Sequence, residues 1–130
     1  MQGRTFPGGV RSILALGIAV GLLGACAARE RVQVLYFFSA VCPSCEESQR
    51  AVRGASSAAY AASRDARIEV HVYDVYRDEE AMDALLAAVD RFKVPVERQG
   101  LPLLIVNGEA YSGLDEVEPA LAKLQTAGRR

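Results

Sequence analysis

Two cysteines separated by two residues carry the clearest chemical signal in this sequence. The segment Cys42-Pro43-Ser44-Cys45 follows an apolar run and precedes a stretch with helical periodicity. A cysteine at the start of a helix faces unpaired backbone N–H groups, which stabilise its thiolate over its thiol. Pro43 suits the first helical position, where no N–H bond is lost. We therefore predict that Cys42 is an exposed nucleophile, that Cys45 is a buried resolving thiol, and that Pro43 and Ser44 form the active-site loop between them.

The same spacing also occurs in zinc sites and in structural disulfides. Zinc requires two further Cys or His ligands, and only His71 is left for that role if Cys26 carries a lipid, as argued below. A disulfide between such close cysteines closes a very small loop and contributes little stability. Both alternatives are therefore disfavoured, and no metal or cofactor is predicted. Two alternatives stay open: a module that holds Cu(I) or another soft metal between Cys42 and Cys45, and a non-catalytic adaptor.

Apolar periodicity predicts the strands that position the pair. Residues 32–39 are nearly continuous in β-branched and aromatic side chains, which is typical of a central strand covered on both faces. Residues 67–75 alternate and form a second strand. A third strand spans 101–106, and Asn107-Gly108 joins it to a fourth at 109–112 in a hairpin.

Three helices are predicted between and after these strands. The first runs from the cysteine pair to about Arg64, the second begins with Asp78 as its cap, and the third spans 115–127. Pro119 is tolerated there only if it lies in the first turn. Apolar residues at helical spacing should face the sheet: Cys45, Val52, Ala55, Ala59 and Ala62 in the first helix, and Met82, Leu85, Leu86 and Val89 in the second.

The resulting order, β-α-β-α-β-β-α, predicts an α/β fold. A β-α-β unit implies parallel strands, whereas the hairpin makes its own two strands antiparallel. A mixed four-stranded sheet flanked by helices is therefore expected. About 105 residues follow the N-terminal apolar segment, which is enough for one domain, spanning 32–130, and too few for two.

Two segments resemble the thioredoxin superfamily: residues 36–45, which contain the cysteine pair, and residues 100–108, which precede Tyr111-Ser112-Gly113. The resemblance covers about residues 32–124. It implies a thioredoxin-like fold and a thiol–disulfide oxidoreductase. It also implies that Pro102 has a cis peptide bond and lies against the sulfurs, and that Leu101 and Pro102 bind the substrate peptide.

The sequence departs from that family in two places. Ala40-Val41 stands where proteins close to thioredoxin have tryptophan, and this chain has no Trp. The first strand also lacks the buried acid that many members place near the second cysteine. The proton acceptor for Cys45 is therefore unassigned, and Glu46, Glu47 and Asp74 are only weak candidates.

The first 25 residues have the pattern of an export signal. Two arginines precede an apolar run that starts at Ile13 and is shorter than the roughly 20 residues a spanning helix needs. Leu23-Gly24-Ala25-Cys26 resembles the lipobox of bacterial lipoproteins, which implies lipid attachment to the Cys26 sulfur. The expected organisation is a lipoprotein signal peptide at 1–25 and a lipidated cysteine with a short tether at 26–31.

This organisation predicts an extracytoplasmic domain that is lipid-anchored to a bacterial membrane at its periplasmic face. Ala27 rather than an acid follows Cys26, which favours the outer membrane where two membranes exist.

The charge of the chain argues against a nucleic-acid partner. Without Arg4 and Arg11 the chain has 13 basic and 16 acidic residues, and it contains no basic patch of the kind that binds nucleic acid. Exported protein thiols or disulfides, or a membrane thiol carrier, are the expected partners, with a preference for the reducing direction.

Overall fold

The computed structural model of the protein describes residues 30–127. Their elements follow the predicted order, with one additional 3₁₀ helix at Val96–Arg98. The predicted signal peptide, the lipid attachment at Cys26 and most of the tether lie outside the described residues. The strands are β1 Val32–Phe38, β2 Ile68–Asp74, β3 Leu103–Val106 and β4 Glu109–Ser112, and the helices are α1 Glu46–Arg64, α2 Ala81–Arg91 and α3 Leu114–Ala127.

The four strands form one mixed sheet in the order β2-β1-β3-β4. β1 is parallel to β2 and antiparallel to β3, and β4 is antiparallel to β3. The predicted α/β class and mixed four-stranded sheet are therefore confirmed, and the architecture is compatible with a thioredoxin-like fold. Asn107 and Gly108 make the turn of the predicted hairpin, with φ values of 49° and 87°.

β1 lies inside the sheet, and apolar side chains cover both of its faces. Val34, Tyr36 and Phe38 join one core cluster together with buried residues of α1 and α3. Phe37 joins the opposite cluster, which includes Ala88 of α2. A strand buried in this way needs the nearly continuous apolar sequence that predicted it.

α1 approaches the sheet through a row of small buried residues, namely Ala51, Gly54, Ala58 and Ala61. Tyr36 explains their size. Its buried hydroxyl donates a 2.8 Å hydrogen bond to the Ala51 carbonyl oxygen, and a Cβ atom at Gly54 would lie 2.6 Å from the same hydroxyl oxygen. The close approach of helix and strand therefore leaves room only for alanine and glycine.

The predicted buried face of α1 is consequently wrong by about one position. Val52 is 42% exposed and Ala59 is also exposed, whereas Ala55 and Ala62 are half-buried at the edge of the core. The prediction favoured the larger Val52 over Ala51. Periodicity alone does not show that the opposing strand carries a tyrosine hydroxyl that only small residues accommodate.

The predicted buried face of α2 is wrong in part. Leu85 and Val89 contact the core as expected, but Met82 and Leu86 are 49% and 60% exposed. Small residues again occupy the inward positions, in this case Ala81 and Ala88.

Within residues 30–127, no helix combines the length and the apolar composition needed to cross a membrane.

Two predicted helix starts also differ from the structure. Asp78 does not cap α2, because its carboxylate accepts the Asp74 N–H at 2.8 Å and Glu80 takes the N-cap position. α3 begins at Leu114, one residue earlier than predicted, because the Gly113 carbonyl accepts the Val117 N–H at 3.0 Å. Pro119 therefore lies in the second turn of α3, where it removes one helical hydrogen bond.

Gly54→Ala tests whether the Tyr36 contact sets the position of α1. At an open helical site this substitution would stabilise the protein by about 1 kcal/mol. Here the added methyl group meets the Tyr36 side chain, so we expect the free energy of unfolding to fall by about 1–3 kcal/mol in urea denaturation. Ala59→Gly, at an exposed position of the same helix, measures the helix-propensity term separately.

Tyr36→Phe provides the matched background for that measurement. It removes the oxygen closest to the new methyl group, and by itself it loses the hydrogen bond to Ala51. We expect Gly54→Ala to lower the free energy of unfolding less in the Tyr36→Phe background than in the wild type. An equal cost in both backgrounds would show that the hydroxyl does not set the spacing.

Candidate active site

The cysteine pair lies in the loop between β1 and α1. Cys42 and Cys45 form a disulfide, with their Cα atoms 5.3 Å apart. The Cys45 N–H donates to the Cys42 carbonyl oxygen at 3.0 Å and closes a tight turn through Pro43 and Ser44. The two-residue spacing thus places both sulfurs on one turn, as redox chemistry at this pair requires.

The prediction that a helix begins at Cys42 is wrong. Cys45 is the N-cap of α1, and the first helical residue is Glu46. Pro43 occupies the second position of the turn instead of the first position of the helix. Proline is favoured at both places because each needs the same φ angle, so the sequence signal fits either geometry.

The burial order of the two cysteines is also the reverse of the predicted one. Cys45 is exposed and Cys42 is half-buried. The buried row of α1 includes Ala51, and counting back at 3.6 residues per turn places the preceding inward position near Ser48, which is half-buried. Cys45 does not belong to this row, so its side chain stays exposed to solvent.

The loop that precedes β3 lies beside the disulfide loop. Because β1 and β3 are antiparallel and Phe37 pairs with Leu103, the chain leaving β1 and the chain entering β3 meet at one end of the sheet. The Leu101–Pro102 peptide bond is cis, and Pro102 is buried while Leu101 is 39% exposed. The backbone N–H and C=O of Leu101 have no hydrogen-bond partner among residues 30–127.

A cleft of about 530 Å³ opens next to these two loops. It brings Leu101 and Pro102, the predicted substrate-binding residues, together with the first turns of α1 and α3. Cys42 and Cys45 are not among the residues that line it. The lining consists of Ser39, Glu47, Ser48, Arg50, Ala51, Leu101, Pro102, Leu114 and Asp115.

Arg50 and Glu118 join α1 to α3 beside the cleft. The guanidinium donates two hydrogen bonds to the carboxylate, at 2.9 and 2.8 Å. These bonds hold the pKa of Glu118 below its usual range and raise the pKa of Arg50. Because Glu118 neutralises Arg50, the remaining charges of the cleft are the carboxylates of Glu47 and Asp115.

The described residues offer no buried proton acceptor for Cys45. No charged side chain is buried between residues 30 and 127. Glu46 and Glu47 are exposed, and the half-buried Asp74 accepts the Tyr76 N–H at 3.1 Å in the turn after β2. The three weak candidates from the sequence are therefore solvated or engaged in local structure.

His71 does not join the cysteines. It lies in the middle of β2 opposite Leu35, and its Nε2 is 2.9 Å from a carboxylate oxygen of Glu69. In the part of the chain that the structure describes, no three His, Cys, Asp or Glu side chains are arranged to hold a metal ion.

Comparisons with models of protein families, with curated proteins and with solved structures found no match for this chain. The chemistry of the site must therefore be argued from the residues themselves and from the topology that brings them together.

Sequence reasoning did not find three residues that shape the site: Tyr36, Arg50 and Glu118. Arg50 and Glu118 are 68 positions apart, so no local spacing indicates their contact. Tyr36 did carry a signal, because a tyrosine in a buried strand needs a hydrogen-bond partner for its hydroxyl. The small residues of the following helix indicate where that partner lies.

Glu118→Gln tests the electrostatic contact between α1 and α3. Because Arg50 lowers the pKa of Glu118 in the folded protein, the stabilisation is fully present above the unfolded carboxyl pKa and is lost as the pH falls through the lowered folded value. We expect Glu118→Gln to have a slightly lower Tm at pH 7. The difference from the wild type should shrink toward zero in acid, as measured by scanning calorimetry.

The control for this experiment is Glu97→Gln. Glu97 is exposed and has no ion-pair partner among residues 30–127. The Tm difference between Glu97→Gln and the wild type should not change with pH. A Tm difference for Glu118→Gln that stays constant from neutral pH into acid would contradict the ion-pair explanation.

Proposed function

We propose that this protein is a thiol–disulfide oxidoreductase that works outside the cytoplasm on exported proteins or on a partner thiol carrier. The observation that carries the proposal is the Cys42–Cys45 disulfide on an accessible turn, at the end of the sheet where the Leu101 backbone is unpaired. A backbone hydrogen bond already closes this turn, and so small a disulfide loop adds little stability. A redox role explains the pair better than a structural one.

The proposed reaction in the reducing direction consists of two exchanges. The Cys42 thiolate attacks one sulfur of a substrate disulfide, whose S–S bond breaks, and the departing substrate thiolate takes up a proton. Cys45, as a thiolate, then attacks the Cys42 sulfur of the mixed disulfide and releases the second substrate thiolate. Two electrons pass from protein to substrate, and a reduced partner thiol must restore the Cys42–Cys45 dithiol.

The assignment of Cys42 as the nucleophile is supported by Ser44. The Ser44 hydroxyl oxygen lies 3.7 Å from the Cys42 sulfur and can donate a hydrogen bond to a thiolate there. Cys45 is the N-cap residue of α1 and makes no side-chain capping hydrogen bond in the disulfide; once reduced, its transient thiolate would lie at the positive end of the helix dipole. Glu46 and Glu47, both exposed next to the pair, disfavour additional negative charge and support the reducing direction.

Substrate binding is proposed for the Leu101 segment. Its free N–H and C=O can pair with an extended peptide, which would add to the protein as a short strand. Leu101 and Val41 are 39% and 58% exposed at this end of the sheet and provide apolar contact for such a peptide. Pro102 stays buried beneath it.

Single cysteine substitutions test the division of roles. We expect Cys45→Ser to accumulate a mixed disulfide with substrate, visible as a band of higher mass on a non-reducing gel. Cys42→Ser should trap nothing, because it lacks the sulfur that makes the first attack. Both variants should reduce insulin no faster than background, whereas Ser57→Ala, on α1 away from the pair, should match the wild type.

Three results would contradict this assignment. Trapping by Cys42→Ser and not by Cys45→Ser would show that the more exposed Cys45 is the nucleophile. Stoichiometric Cu(I) binding by a wild type that does not reduce insulin would support a soft-metal module. A wild type with neither property would be an adaptor.

We further propose that a lipid on Cys26 anchors the protein to a bacterial membrane, at the periplasmic face. We expect Cys26→Ser to lose membrane retention while its insulin-reduction rate stays at the wild-type level, because the lipid and the exchange chemistry use different cysteines. Fractionation of cells and mass spectrometry of the N-terminal peptide measure this. An unmodified Cys26 in membrane-bound protein would contradict the proposal.

A further inference from the structure

The two edges of the sheet differ in how their backbone groups are satisfied. On β4, Arg98 donates to the Ala110 carbonyl oxygen at 2.9 Å, and the Glu116 carboxylate accepts the Ser112 N–H at 3.0 Å. These β4 groups point away from β3, because the two-residue hairpin turn directs the backbone groups of Glu109 inward and those of Ala110 outward. Side chains therefore engage two outward backbone groups of β4, the Ala110 C=O and the Ser112 N–H.

On β2 a side chain engages the outer edge only at its end, where the Asp78 carboxylate accepts the Asp74 N–H, and the middle of this edge has no such contact among residues 30–127. Val32 donates to the Arg67 carbonyl oxygen, so the odd-numbered residues of β2 bond to β1 and the even-numbered residues direct their backbone groups outward. The outward N–H and C=O groups of Val70 and Val72 have no partner among residues 30–127. Such an edge is a template for pairing with another strand.

We propose that β2 pairs with β2 of a second copy of this chain, antiparallel about a two-fold axis at Val70. Two-fold pairing requires a self-complementary strand, and β2 has that property in this register. Glu69 lies opposite His71 of the second copy, and His71 lies opposite Glu69. Both side chains are about half exposed (54% and 45%) and point to the same face of the sheet.

The opposite face of the paired strands is apolar. In the same register Val70 meets Val70 of the second copy, and Ile68 lies opposite Val72. Val72 is 37% exposed on this edge strand, and pairing would cover it. The two N–H···O bonds between the Val70 residues lie on either side of the axis, and each Val72 N–H can reach the Ile68 carbonyl oxygen of the other copy.

Other registers lose this complementarity. An axis at His71 would engage Val70 and Val72 equally well, but it would place His71 opposite itself and Glu69 opposite Tyr73. An axis at Val72 would place Val70 opposite Asp74, whose N–H is already bonded to the Asp78 carboxylate. The contact involves only about five residues from each copy, so we expect a weak, concentration-dependent dimer of the transient class.

Sedimentation velocity of the full-length chain in a non-ionic detergent tests the edge directly. Val70→Pro removes an outward N–H and leaves the bonds to β1 intact, since proline is tolerated at such edge positions. We expect it to weaken the dimer about tenfold or more. The matched control is Ala110→Pro, which removes an outward N–H from β4 and should leave the dimerisation constant within about twofold of the wild type.

A charge-exchange experiment tests the register, and it uses exposed positions that the fold tolerates. Glu69→Lys alone and His71→Glu alone should each weaken self-association, because like-charged or unmatched side chains then face each other. An equimolar mixture of the two variants should restore the dimer. The new lysine at position 69 of one copy then lies opposite the new glutamate at position 71 of the other.

Four results would overturn the proposal. They are a wild type that stays monomeric at all concentrations, a dimer that persists unchanged in Val70→Pro, a dimer that Ala110→Pro weakens equally, and a mixture that restores nothing. A monomeric wild type whose Val70 and Val72 amides resist hydrogen exchange would show instead that another part of the same chain covers this edge.

Discussion

The contact between the Tyr36 hydroxyl and the backbone of α1 fixes the geometry of the end of the sheet that carries the disulfide. A buried hydroxyl must find a hydrogen-bond acceptor, and Tyr36 uses the Ala51 carbonyl oxygen. That bond brings the helix so close to β1 that only small residues fit beneath it, as the contact distances at Gly54 show. Once α1 is held at this distance, its first turn and the Cys45 cap have little freedom of position.

The second constraint on this end of the sheet is the packing of α3 against α1. Val117 and Leu121 enter the same core cluster as Tyr36, and Leu121 also approaches Gly54. The ion pair between Arg50 and Glu118 lies at the surface of this contact. Exposed ion pairs contribute little stability, so its main effect is to keep Arg50 engaged at the cleft wall and leave the cleft with an acidic character.

The sequence was sufficient to predict the order of elements, the mixed sheet and the hairpin, because strand alternation and the Asn107-Gly108 turn are local signals. It was not sufficient to predict which helix faces are buried. Alanine and glycine contribute little to a hydrophobic pattern, yet they occupy the buried rows of α1 and α2. The start of α1 was also ambiguous, since Pro43 fits a turn as well as a helix. Contacts between residues that are far apart in the sequence, such as Arg50 and Glu118, produce no local sequence pattern that could predict them.

Cys45 is exposed, and residues 30–127 place no buried acid near it; these two features have a common consequence for the proposed reaction. A buried resolving thiol would need a carboxylate beside it to take its proton, since bulk water could not reach the sulfur. An exposed thiol at a helix N-cap, as Cys45 is, can lose its proton directly to solvent, and the helix dipole favours the thiolate that remains. The second exchange step of the proposed reaction therefore does not depend on an acid in β1, because Cys45 is exposed. The same hydroxyl contact that holds α1 against β1 thus also holds Cys45, the proposed resolving cysteine, at an exposed position.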